Sequence, residues 1–182
     1  MIEHLDLSGV WTFVPRRLCD DRGWFCESFN ARTLGDGLGG AVFVQENHVC
    51  SKSSGTLRGL HFQIPPRAQD KLVRVLQGAV LDVAVDLRRH SVHYGKWASA
   101  LLSAENGRQM FIPKGFAHGY VALKPDTEVL YKVSDYYSPE HERGLIWNDP
   151  NVGIDWTLAP EDMLMRERDR TLPRLVDLPQ FF

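Results

Sequence analysis

Gly107-Arg-Gln-Met-Phe-Ile-Pro-Lys-Gly-Phe-Ala-His118 is the stretch on which the fold turns. Pro113 and Gly115 supply a tight turn between two β-rich runs, and the strand that follows carries a histidine able to point into a barrel. Outward from this turn the period is two. Ala79, Leu81, Val83 and Val85 alternate with Val80, Asp82, Ala84 and Asp86, and similar runs lie at 41–49, 71–77, 97–102, 109–112, 119–123 and 128–134. Turn signals at Ser54-Gly55, Gln77-Gly78, Asn106-Gly107 and Lys124-Pro125-Asp126 recur at short spacing. The expectation is an all-β chain, an antiparallel sandwich or barrel rather than βαβ units. Helix is expected only at 31–34 and 160–168, and Pro173 and Pro179 break the tail from Thr171.

The 182 residues fit one domain, 1–182, with no repeat or linker-like shift in composition. Lysine plus arginine number 21 against 23 acidic residues, so no global positive field exists to hold nucleic acid or an anionic membrane. An anionic ligand must then be met locally. Cys19, Cys26 and Cys50 have no C-x-x-C spacing, which argues against a disulfide framework and a zinc knuckle. The start Met-Ile-Glu-His-Leu-Asp lacks a basic n-region and an apolar h-region, and the richest apolar stretch, 72–87, is interrupted by Arg74 and Asp82. A cytoplasmic protein without a membrane partner is expected.

The spacing G-x5-P-x-G-x2-H that ends at His118 resembles the second cupin motif. Metal-binding cupins pair it with H-x-H and a nearby glutamate. Here the matching segment reads His61-Phe62-Gln63, no glutamate follows closely, and Asp70 sits beside Lys71, so neither a metal nor another cofactor is expected. Arg58, His61, Gln63 and Lys71, preceded by Gln45 and Asn47, give strand-like runs more polar groups than a plain core holds. They describe either a wet cavity or a solvated outer face. Strand parity puts Arg58 opposite to His61, so aiming both inward requires a bulge or a strand-end position.

Eight segments in order then resemble the dTDP-4-dehydrorhamnose 3,5-epimerase family: Asp21-Arg-Gly-Trp-Phe-Cys-Glu27, Phe43-Val-Gln-Glu-Asn47, Leu57-Arg-Gly-Leu-His-Phe-Gln63, Lys71-Leu-Val-Arg-Val75, Asp82-Val-Ala-Val-Asp86, Pro113-Lys-Gly-Phe-Ala-His-Gly119, Tyr131-Lys132 and Trp147-Asn-Asp-Pro150. The resemblance implies a cupin-type jelly-roll barrel with a few short helices, no metal, and a homodimer whose N-terminal strands pack on the partner subunit. It places the general base at His61, its aspartate partner at Asp169, the opposed acid at Tyr131, and a lysine near the keto oxygen at Lys71. Arg22, Glu27, Gln45, Asn47 and Arg58 match positions that hold the nucleotide, diphosphate or sugar, Arg22 reaching in from the partner chain. His118 matches a second pocket histidine, and Tyr137, with Tyr136, is a candidate to stack on thymine.

These residue types suit the implied reaction. A ketone at C4 acidifies the C–H bonds at C3 and C5, and epimerisation removes a proton from one face and returns one to the other. An imidazole, with a reference pKa of roughly 6.5, is a suitable base, and a carboxylate on its second nitrogen fixes the tautomer. An ammonium such as Lys71 stabilises the enolate oxygen, while arginine forks suit a diphosphate. The chain departs from the family pattern at Val49 and Cys50, at Val92-His93, at Thr157 and at Arg166. Rival expectations are a mono-epimerase acting at C3 or C5 alone, a non-catalytic sugar-nucleotide-binding cupin and a metal-dependent cupin dioxygenase.

Overall fold

Alternating side chains sort the strands into two antiparallel sheets whose facing surfaces enclose one core. The computed structural model describes residues 2–182. In chain order it contains β1 (Ile2–His4), β2 (Trp11–Phe13), β3 (Arg17–Asp20), β4 (Gly23–Cys26), α1 (Ala31–Leu34), β5 (Gln45–Ser51), β6 (Leu57–Gln63), β7 (Lys71–Gln77), β8 (Ala79–Asp86), β9 (Trp97–Ser103), β10 (Gln109–Ile112), β11 (Phe116–Ala122), β12 (Thr127–Val133), β13 (Glu142–Gly144) and α2 (Glu167–Arg170). One sheet runs β1-β2-β10-β7-β12-β5, the other β13-β6-β11-β8-β9, and β3 with β4 forms a separate hairpin. The expected all-β cupin-type jelly roll is therefore what forms, with its sheets stacked rather than closed into a continuous barrel. Among the described residues, no helix is long and apolar enough to cross a membrane.

The parity of β8 shows how the layers are built. Val80 and Ala84 point between the sheets, where they meet Val73, Met110, Ile112 and Val129. Val83 and Val85 point the other way, where they pack with Leu60 and Phe62 of β6 and with Leu145, Trp156 and Leu175 from flanking loops and the C-terminal segment. Both faces of the five-stranded sheet are thus covered, and each of these valines adds roughly 1.5–3 kcal/mol by burial. The outer face of the six-stranded sheet is covered around Trp11 and Phe111 by Leu34 and Leu38, from α1 and the 3₁₀ turn after it. Asn30 caps α1, its side-chain oxygen accepting from the Arg32 and Thr33 amides.

The turn at Pro113-Lys114-Gly115 forms as expected between β10 and β11, with Gly115 at φ +92° and the Lys114 amide donating to Asp70 Oδ1 at 3.0 Å. The required bulge is present as well. His118 pairs with His61 and Tyr120 with Arg58, so two steps along β11 are matched by three along β6. Gly59 takes up the extra residue at φ +124°, and a Cβ there would stand 2.6 Å from Gly119 Cα. Any side chain at 59 would lift β6 off β11.

Two expectations are corrected. Segment 160–168 is not one helix: a 3₁₀ turn at Pro160–Asp162 gives way to extended chain, and α2 begins only at Glu167. Leu164 trades its helical hydrogen bonds for a bridge to the start of β6, donating to Gly55 O at 2.9 Å and accepting from Leu57 N at 2.8 Å. The run at 41–49 starts late, at Gln45, because Ala41 and Phe43 pack beside Trp11 as covering chain.

Candidate active site

A cavity of about 660 Å³ opens between the sheets. Gln45, Asn47, Val49 and Ser51 alternate with the exposed Glu46, His48 and Cys50 along β5, so the first four share its inner face. Lys71 on β7 and Tyr131 on β12 come from the same six-stranded sheet. From the opposing sheet come Arg58, His61 and Gln63 on β6, His118 and Tyr120 on β11, and Glu142 on β13. Arg166, Arg168 and Asp169, around α2, close one side.

Asp169 reaches His61 across 108 positions of sequence, its Oδ1 lying 2.8 Å from His61 Nε2. Burial alone would raise the Asp169 carboxyl, but the hydrogen bond and positive potential of His61 outweigh it and hold the group below the usual carboxylate range. An ionised carboxylate only accepts, so in the neutral imidazole Nε2 carries the proton and Nδ1 holds the free lone pair. Lys71 is 8% exposed, and its Nζ donates to the His61 carbonyl at 3.2 Å. Burial pushes its ammonium down to about 8, against the opposing pull of Asp82 and Glu142. Tyr131 lines the cavity from the sheet opposite to that of His61. Burial raises its phenol above the ordinary tyrosine value, against the Arg58 charge and a hydrogen bond with Asn47.

The polar rim is tied together locally. Gln45 donates to Asn47 Oδ1 at 2.9 Å and accepts from the Tyr137 amide at 3.0 Å. Arg58 donates to Ser51 Oγ at 3.3 Å and to the Cys50 carbonyl at 3.1 Å, so Ser51 supplies a hydroxyll contact although Val49 and Cys50 depart from the family pattern. Glu142 accepts from Tyr137 Oη at 3.1 Å and from Arg168 Nη2 at 2.5 Å. Deeper in, His118 Nε2 lies 2.8 Å from Asp82 Oδ1. Burial holds His118 below the usual imidazole range despite that carboxylate.

Gln45, Asn47, Arg58, His61, Lys71, His118, Tyr131, Tyr137 and Asp169 thus converge on one cavity. Arg22 and Glu27 do not line it in this chain. Arg22 bonds Asp20 on the exposed β3–β4 hairpin, and Glu27 accepts from Thr33 Oγ1 at 3.3 Å. The reason is topological, since that hairpin belongs to neither main sheet. Sequence reasoning gave no role to Glu142, Arg168, Ser51 or Asp82. Asp82 carried a usable signal, a carboxylate at an inward position of an aliphatic strand.

The family model described as dTDP-4-dehydrorhamnose 3,5-epimerase matches residues 4–177. A relative of that name from Pseudomonas aeruginosa is 53% identical over 167 residues, covering 91% of both chains. Among solved structures, the Legionella pneumophila epimerase in complex with dTDP-4-keto-L-rhamnose superposes with a TM-score of 0.93 at 40% identity, covering 98% of this chain and 94% of the other. A 3'-monoepimerase from Streptomyces bikiniensis in complex with dTDP-quinovose gives 0.86 at 30% identity, covering 96% and 87%. The order of strands, the cavity between the sheets and these likenesses agree: the chain belongs to the dTDP-4-dehydrorhamnose 3,5-epimerase family, a family of isomerases.

Proposed function

We propose that the protein epimerises C3 and C5 of dTDP-4-dehydro-6-deoxy-D-glucose, giving dTDP-4-dehydro-L-rhamnose, as one domain over 1–182 working in the cytoplasm. The observation that carries this reading is the opposition of His61, with Asp169 on its Nε2, to Tyr131 across the cavity. His61 Nδ1 takes the proton from the carbon next to the ketone, and the C–H electron pair moves into an enolate. Imidazolium charge is stabilised by Asp169. Lys71 supplies positive charge to the enolate oxygen in a buried setting, where such interactions are strong. Tyr131, its phenol kept protonated by burial, gives a proton to the opposite face and regains one from solvent, to which His61 releases the proton it took.

Gln45, Asn47, Arg58, His118 and Tyr137 hold the nucleotide sugar. Arg22 and Glu27 complete the site in a homodimer, where the β3–β4 hairpin packs on a second copy and carries Arg22 to the partner's cavity. The exposed rings of Trp24 and Phe25, 56% and 67% accessible, support that placement. The likeness to a 3'-monoepimerase favours one second reading, inversion at C3 alone.

The test is NMR of the sugar nucleotide incubated with enzyme in D2O, where exchange at C3, C5, both or neither separates these readings. Tyr131→Phe sharpens it. The variant keeps the ring and loses only the donor, so solvent deuterium continues to enter while net inversion falls by about 10²-fold or more. Inversion at the normal rate in Tyr131→Phe would make solvent or another residue the acid. In support of such a pair, the Streptomyces bikiniensis enzyme was crystallised with dTDP as a double mutant in which one histidine became asparagine and one tyrosine phenylalanine.

A further inference from the structure

The segment Trp147-Asn148-Asp149-Pro150 has no part in the chemistry above, yet it holds a carboxylate only 2% exposed. Burying such a charge is costly unless it is hydrogen-bonded. Asp149 meets two backbone amides: Asn151 donates to Oδ1 at 2.8 Å and Leu175 to Oδ2 at 2.6 Å. Bonds of this kind are roughly twice as strong as neutral ones. The loop itself is fixed, since Val152 and Gly153 donate to the Asp149 carbonyl and Trp156 Nε1 to the Trp147 carbonyl.

Leu175 lies six positions after Asp169 on the segment that leaves α2. That helix is a single turn without a side-chain N-cap, too short to hold a position by itself. Its placement is therefore set from its two ends. Upstream, Leu164 is bonded to Gly55 and Leu57. Downstream, Leu172 packs over Gly144, the Pro173 carbonyl accepts from Ile146 at 2.9 Å, and Asp149 holds Leu175. Among the described residues, Asp149 is the one side chain that hydrogen-bonds backbone in 172–182.

We propose that Asp149 is a positioning residue for the His61–Asp169 pair: by fastening the chain at Leu175 it fixes where α2 presents the Asp169 carboxylate. The inference rests on the reading of His61 as the base. Displacing such a partner by about 1 Å can cost on the order of a hundredfold in rate.

The test is a double-mutant cycle with Asp149→Asn, which keeps volume but can accept only one of the two amides. It should lower kcat by about ten- to a hundredfold with KM within about twofold. In an Asp169→Ala background the same change should alter kcat by less than about twofold, because no partner remains to be placed. In 15N-histidine-labelled protein without substrate, the Nε2–H signal of His61 should move, while that of His118, bound to Asp82, stays. Leu175→Pro removes the same bond from the donor side, together with part of the Leu175 core contact, and should show the same dependence on the Asp169 background even if Asp149→Asn does not fold. Arg174 at ψ 161° already suits the residue before a proline. Wild-type kcat in a folded variant, or an equal fold loss in both backgrounds, overturns the inference and leaves His61 as the base. Full turnover in Asp169→Ala alone overturns the reading of the pair and this inference with it.

Discussion

His61 on β6 and His118 on β11 face each other across one strand pair, and each meets an aspartate through Nε2 at 2.8 Å. Their surroundings differ. The His61 side chain is 30% accessible from the cavity and its partner arrives on α2, from the far end of the chain. The His118 side chain is 7% accessible, and its partner Asp82 sits fully buried on the neighbouring strand β8. The same bond thus serves two ends. An accessible imidazole with a remote, separately anchored carboxylate can take up a proton from a ligand. A buried one, held below the usual imidazole range, stays neutral at neutral pH and fixes the inner wall.

The sharpest way to break this contrast is His61→Asn. Turnover should fall by about 10²–10⁴-fold while nucleotide binding and folding persist. A variant within a few-fold of wild type would remove His61 from the chemistry. Next in size is His118→Ala, which leaves Asp82 buried without its partner. Folding stability should drop by about 3 kcal/mol, read by denaturant unfolding. A stability change no larger than that of His61→Ala would erase the distinction between the two pairs.

Lys71, beside both histidines, separates them by pH. Its folded pKa of about 8 lies below lysine's ordinary 10.5, so the unfolded chain keeps this proton to higher pH. Over the window between those values, its contribution to folding stability rises with pH while the charge proposed to act at the enolate disappears. Turnover should fall through pH of about 8 as stability from this group increases, and Lys71→Met should abolish both trends. A flat rate profile through that window would take the ammonium out of the mechanism. The smallest expected effect is none: neither histidine pair has the ligand set of a metal centre, so chelation should leave the rate unchanged. Loss with EDTA and recovery on adding one divalent ion would contradict this.

Much of this was legible in the sequence where period and turn chemistry act locally. The runs at 71–77 and 109–112 match β7 and β10 to the residue, and the parity conflict between Arg58 and His61 called for the bulge that Gly59 provides. The short strands β1 to β4 were not legible, because three or four residues are too few to carry a readable period. The helix expected over 160–168 failed for a different reason. Its local propensity yielded to the pairing of Leu164 with the start of β6. Within the site, parity alone could nominate the inward face of β5, but it could not bring Asp169 to His61. That contact spans 108 positions, and only the family resemblance proposed it.

The β3–β4 hairpin belongs to neither sheet and leaves Leu18, Trp24 and Phe25 half exposed or more, with Arg22 at its turn. Where a second copy covers those rings, the arginine and the apolar surface travel together. Under the proposed assembly, completing the cavity follows mass action: the residues proposed as base, acid and lysine belong to one chain and the arginine proposed for the diphosphate to another. Each chain's catalytic output would be set by how many neighbours it has, and protein concentration itself becomes a control on the enzyme.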